Sequence, residues 1–195
     1  MLCLAAAASI GGCKKKGGGG TTPEGPVGPE EPAFTGNYIA ADGESEYTIV
    51  TPASPMPAET TAATELSQYL ARITGVTLDV VPDSRLKKTA TTEKYISVGE
   101  TSLYKAQNFK AENLNGDGFL LKTVDNTLFI VGECERGTLY GVYEFLEREA
   151  GCRFLSRSYE HIPTVTKLGL RALDVKEIPA FEVRSDFYRP MSYEV

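Results

Sequence analysis

Two amphipathic stripes constrain this chain most, because each must lay an apolar face on something else. In PAETTAATELSQYLARIT, residues 57–74, Ala62, Leu66, Leu70 and Ile73 recur at helical spacing. Pro57 in the first turn, Glu59 behind it and Gly75 just past the last periodic residue punctuate a helix at both ends. From about Arg136 to Glu149, Leu139, Val142, Tyr143 and Leu146 fall at i, i+3, i+4 and i+7. The surrounding sequence is β-rich. Residues 47–50 (YTIV), 76–81 (VTLDVV), 95–99 (YISVG), 118–124 (GFLLKTV), 127–132 (TLFIVG) and 152–155 (CRFL) read as strands, and 83–94 as a polar loop. Asp125-Asn126 supplies the two-residue connection of a hairpin. The order β-α-β-β-β-β-α-β predicts an α+β fold, a mixed β-sheet packed by two amphipathic helices.

Length and charge narrow the function classes. At 195 residues the chain suits one compact domain. It falls short of a (β/α)8 barrel of roughly 200–250 residues with anything attached to it. With 26 acidic against 20 basic side chains, the net charge is −6. Nucleic acid is bound chiefly by neutralising phosphates with cations, so no nucleic-acid partner is expected. One histidine and four scattered cysteines leave little material for a metal site, and no cofactor motif is present.

The first residues read as an address. Leu2 to Ile10 (LCLAAAASI) is too short to cross a bilayer core, which needs about 20 helical residues, but suits a signal-peptide core. Ile10-Gly-Gly-Cys13 resembles a bacterial lipobox, which makes 1–12 a lipoprotein signal peptide and Cys13 the lipidated residue of a chain in the bacterial cell envelope. Lys14, Lys15 and Lys16 then precede GGGGTTPEGPVGPEEP, in which ten of sixteen residues are Gly or Pro. Such a segment buries too little apolar surface to offset the entropy of ordering it, so 13–33 reads as a tether holding a domain off a membrane.

Cys134 and Cys152 flank the second helix, which separates them by roughly 20 Å. That is beyond disulfide reach, so both are expected free, as small buried apolar residues.

Candidate chemistry within the domain is thin. His161 is the only histidine and supports no Ser-His-Asp or Cys-His arrangement. Glu144, Glu147 and Glu149 lie opposite the apolar stripe of their helix, on a solvated face, whereas glycosidase carboxylates must face one another across a substrate. Gly116-Asp117-Gly118 reads as a turn before a strand, with no phosphate-loop continuation. Tyr140 and Tyr143 have the chemistry to stack on sugars, but Tyr143 falls on the core stripe. No catalytic residue is assigned.

The run Gly132-Glu-Cys-Glu-Arg-Gly-Thr-Leu-Tyr-Gly-Val-Tyr-Glu-Phe-Leu-Glu147, with Gly151-Cys-Arg-Phe154 and Ile162-Pro163, carries a resemblance. It looks like the N-terminal domain preceding the catalytic barrel in α-glucuronidases and related envelope glycoside hydrolases of the DUF4838 type. That domain is similar in turn to the small α/β domain before the barrel in β-hexosaminidases. The resemblance covers roughly 45–184. It implies a non-catalytic domain, 34–178, whose partners are a C-terminal barrel and, through it, a poly- or oligosaccharide. Gly137 and Gly141 fit it physically: the first permits a tight strand-to-helix entry, the second a close approach of helix to sheet. Pro179-Ala-Phe-Glu-Val-Arg184 resembles the segment that opens the first barrel strand in hexosaminidase-like enzymes. The resemblance makes Arg184 a sugar contact, and a guanidinium fork suits adjacent hydroxyls. Read from the residues alone, Arg184 is equally an exposed arginine. Residues 179–195 are expected to begin a barrel whose remainder lies beyond Val195, leaving the chain inactive alone. The alternative is a free-standing envelope lipoprotein that binds carbohydrate or a partner protein.

Overall fold

The computed structural model describes residues 31–86 and 93–181. The chain divides between Glu31 and Pro32, and the fold belongs to the second unit. In order, its elements are β1 (Phe34–Ala41), β2 (Tyr47–Thr51), α1 (Pro57–Thr74), β3 (Val80–Pro82), a 3-10 turn (Asp83–Arg85), β4 (Lys94–Val98) and α2 (Ser102–Lys105). Then come β5 (Phe119–Val124), β6 (Thr127–Gly132), α3 (Glu135–Arg148), β7 (Arg153–Ser156), β8 (Tyr159–His161), β9 (Lys167–Arg171) and β10 (Asp174–Glu177). Six strands form the main sheet in the order β10-β5-β6-β4-β2-β3. β3, β2, β4 and β6 are parallel neighbours, while β5 and β10 join antiparallel at one side. Two small ribbons, β1 with β9 and β7 with β8, complete an α+β fold.

The sheet is covered on both faces, which is why β6 reads as an unbroken apolar run, Leu128 to Val131 all buried. Ile49, Ile96, Val98, Leu121, Leu128 and Ile130 meet α1 and α3 in the larger core. Leu120, Phe129 and Val131 turn the other way, onto Tyr104, Ala111 and Leu114. Both amphipathic helices therefore lie on one face, and short α2 with the segment after it covers the other.

Element α1 matches its predicted span, begun by Pro57 and closed by Gly75 in the left-handed conformation at φ 76°. The β5–β6 turn falls at Asp125-Asn126, with Asp125 at φ 51°. Four expectations are corrected. The strand expected over 76–81 pairs only from Val80, because Leu78 is drawn into the core and its carbonyl accepts the Ser67 hydroxyl at 2.8 Å. The buried face of α3 is Gly137, Thr138, Gly141, Val142, Phe145 and Leu146; Leu139 and Tyr143 sit half-buried at its margin. Of the two free cysteines, Cys152 is buried as expected but Cys134 is exposed, at the entry to α3. Glu149 leaves the solvated face: its side chain is only 4% exposed, between Arg148 and Arg171.

The glycines explain the shifted face of α3. A methyl on Gly137 would come within 2.5 Å of the Gly118 carbonyl oxygen and 3.1 Å of Gly132 Cα. A methyl on Gly141 would meet the Ile130 side chain at 3.0 Å. The helix backbone itself is seated against the sheet, as the sequence led us to expect.

Candidate functional site

Parallel strands place a crevice beyond their carboxyl ends, where α/β sheets commonly hold ligands. Here β2, β4 and β6 end around an open cavity of about 270 Å³, lined among others by Met56, Glu59, Glu100, Lys105, Glu133 and Glu135. The starts of α1 and α3 both border it. Helix starts carry unsatisfied N–H groups and partial positive charge, and so attract anions.

In this chain the anions are its own. The buried Glu59 carboxylate accepts the Met56 N–H at 2.9 Å and the Glu100 N–H at 3.4 Å. It occupies the space above Gly99, where the backbone is left-handed at φ 80° and a methyl would strike that carboxylate. The Glu135 carboxylate, from the first turn of α3, accepts the Ala58 N–H of α1 at 3.0 Å. At α2, the Thr101 hydroxyl accepts from Tyr104 N–H at 3.2 Å and the Asp83 carboxylate from Ser102 N–H at 2.6 Å. At the starts of α1 and α2 these donors are met from within the chain, whereas no side chain caps Cys134 at the start of α3. The cavity lining carries four carboxylates, Glu59, Glu100, Glu133 and Glu135, and the cation Lys105.

The corner beside this crevice obeys the same logic. Asn113, Asn115 and Gly116 all have positive φ, at 58°, 57° and 77°. Their turn wraps the Glu133 carboxylate, which accepts the N–H groups of Gly116 at 2.8 Å, Leu114 at 2.9 Å and Asn113 at 3.1 Å. Those bonds, the Gly116 N–H foremost, hold the Glu133 carboxyl below its ordinary range. A general acid for glycoside hydrolysis needs the opposite shift. Asp117 in the same turn binds Arg136, with Nε at 2.8 Å and Nη2 at 2.7 Å from one carboxylate oxygen.

Three aromatic side chains near these helices are likewise committed inward. Tyr69, Tyr143 and Phe154 meet edge to face, with centroids 4.9–6.5 Å apart. The Tyr143 hydroxyl donates to Glu65, and the Tyr69 hydroxyl to Glu160 at 2.7 Å, where Arg72 also binds at 2.6 Å. Burial, then the Glu160 bond, pushes Tyr69 up to about 12.

The structure thus places the residues singled out in the sequence in separate locations. His161 stands exposed on β8 and Tyr140 on the outer face of α3. Glu144 and Glu147 are half-buried on that helix, Glu144 near Arg148 at 3.7 Å. Gly116-Asp117-Gly118 forms the expected turn. Cys13 and Arg184 lie outside the described residues. Among the described residues, no group of three or more His, Cys, Asp or Glu is arranged to hold a metal ion. Nor is any helix among them long and apolar enough to cross a membrane. Sequence reasoning read Glu59 only as helix punctuation and missed Glu133 and Glu135. The Met56-to-Glu59 spacing at a helix start and the density of Asn and Gly over 113–118 were the available signals.

A family model described as the glycosyl hydrolase family 67 N-terminus matches residues 41–145. The chain belongs to this family. The family 67 N-terminus match runs from the last residue of β1 into α3, and so includes the whole crevice and the Glu133 corner. An α-glucuronidase of Hypocrea jecorina is 31% identical over 106 residues, covering 53% of this chain and 12% of that protein. A probable α-glucuronidase A of Aspergillus fumigatus is 36% identical over 75 residues, covering 37% of this chain and 9% of that protein. The chain therefore spans only about a tenth of the length of these relatives. The solved structure of CpGH84D shares the fold at TM-score 0.50 with 12% identity, over 85% of this chain and 25% of that one.

Proposed function

We propose that this family 67 N-terminus serves as a non-catalytic accessory domain, working beside a catalytic barrel that cleaves α-glucuronides from plant or host polysaccharide. The carrying observation is the internal use of the crevice carboxylates. Glycoside hydrolysis needs an acid and a second carboxylate aimed at one sugar. Glu59, Glu133 and Glu135 are instead aimed at backbone N–H groups of their own domain. A uronate, itself an anion, would also meet four carboxylates, Glu59, Glu100, Glu133 and Glu135, against one cation, Lys105, in this lining. The acid and base accordingly belong to the barrel, and no metal is required of this domain.

The test is turnover. The purified 195-residue chain, offered chromogenic α-glucuronides, is expected to release no chromophore above a protein-free control. Release that disappears on Glu59→Gln or Glu133→Gln would overturn the reading.

The envelope location is part of the same proposal and rests on Ile10-Gly-Gly-Cys13 and the Gly/Pro-rich spacer behind it. Expressed in bacteria with radiolabelled palmitate, the chain is expected to carry label that Cys13→Ser abolishes. Unlabelled wild-type chain would remove the anchor from the proposal without touching the domain's role.

A further inference from the structure

We propose that the Asn113–Asp117 turn is a latch that fixes the direction in which the chain leaves this domain. The strand β10 ends at Glu177, and the exit segment Ile178–Phe181 runs on from the sheet edge, with Ile178 and Phe181 exposed. A four-residue edge strand has little hold on the residues after it. The turn and the residues on either side of it supply three contacts, one to the exit segment itself and two to the end of β10. The Asn115 side-chain amide donates to the Pro179 carbonyl at 2.8 Å. The Lys176 ammonium reaches the Glu112 carbonyl at 3.5 Å. At Gly118 the backbones converge, since a methyl there would lie 2.5 Å from the Glu177 carbonyl oxygen and would also strike that of Leu114.

The turn is able to act as a fixed post because Glu133 locks it from inside. Two non-glycine residues in the left-handed region are a strained choice, sustained only where the surroundings over-determine it. Three N–H bonds to one carboxylate do so here, and Glu133 is itself anchored by its own N–H to the Gly118 carbonyl at 3.1 Å. Glu133 thus acts on the exit through Asn115, as a positioning residue. The latch is a property of this chain; that it would thereby aim a catalytic barrel rests on the proposed function, which the turnover assay tests separately.

Backbone ¹⁵N relaxation on the 195-residue protein separates the two parts of the latch. In the wild type, Glu177, Ile178 and Ala180 are expected near the rigid order parameter of about 0.85. Asn115→Gly removes the side-chain donor while easing the backbone, so Ile178 and Ala180 should fall below about 0.6 with Asn113 and Leu114 unchanged. Glu133→Gln should loosen both the turn and the exit while residues within β6 and α3 keep their values. Exit order that survives Asn115→Gly, or a wild-type exit already below about 0.6, would overturn the proposal.

Discussion

Helices α1 and α3 lie side by side on one face of the same sheet, yet they are held there by different means. Helix α1 presents side chains: Ala62, Ala63, Leu66, Leu70 and Ile73 are all buried. Helix α3 adds backbone to side chains, with Gly137 and Gly141 beside Val142, Phe145 and Leu146 in its buried face. The first contact is made by apolar area and tolerates adjustment among rotamers. The second, at Gly137, is made by exclusion of a Cβ atom against backbone and leaves no rotamer to adjust there. One sheet face therefore carries two kinds of specificity, and a single substitution distinguishes them.

Leu66→Ala should produce the largest effect. Leu66 is fully buried, and truncating it to Cβ costs about 2–5 kcal/mol through lost transfer energy and an unfilled cavity, readable in urea titrations. Gly137→Ala comes next. In an exposed helix this change gains up to about 1 kcal/mol, but here the new methyl meets backbone on two sides, so destabilisation by about 1–3 kcal/mol is expected. A stabilised Gly137→Ala protein would break the distinction between the two helices. Gly141→Ala is the finer probe, because its methyl meets the movable Ile130 side chain. Helix propensity then offsets most of the crowding, and a change within about 1 kcal/mol is expected.

A smaller effect concerns the hydroxyl that joins the helices. Burial, with Glu65 accepting a hydrogen bond from its hydroxyl, raises the Tyr143 pKa, and Tyr69 is raised to about 12. These groups are retained in the protonated form by folding. Their stabilisation is complete below the unfolded-state pKa near 10 and is lost as pH rises through the folded-state values. Thermal stability should fall steadily above pH 10, and Tyr143→Phe should flatten that decline while altering the neutral-pH midpoint little.

How much of this was legible in the sequence differs by element for physical reasons. Helix α1 was readable to the residue because its ends carry proline and a left-handed glycine. Helix α3 was readable in extent and in part of its facing: Val142, Leu146 and the two glycines fall on the buried face as expected, while Leu139 and Tyr143 slip to its margin because a hydrophobic stripe is counted in side chains. Strand β1 escaped notice: Gly36 at φ 90° and two register shifts against β9 interrupt its alternation. Elements α2 and β10, four residues each, are too short to show a period. The crevice was harder still. Glu59, Glu133 and Glu135 look like ordinary surface acids until the backbone brings N–H groups to them from Met56, from 113–116 and from Ala58. Tyr143 packs inward as its stripe position suggests, but the partner of its hydroxyl, Glu65 on α1, lies too far away in sequence to be foreseen.

The edges of the main sheet have a consequence for crowded surroundings. β3 has only three residues, and its last is Pro82, which has no N–H to offer; β10 has four, of which Asp174, Lys176 and Glu177 are charged. A second molecule approaching either side finds too few rungs for an intermolecular ladder. Where many copies stand shoulder to shoulder, neighbours brush past one another without polymerising through these flanks.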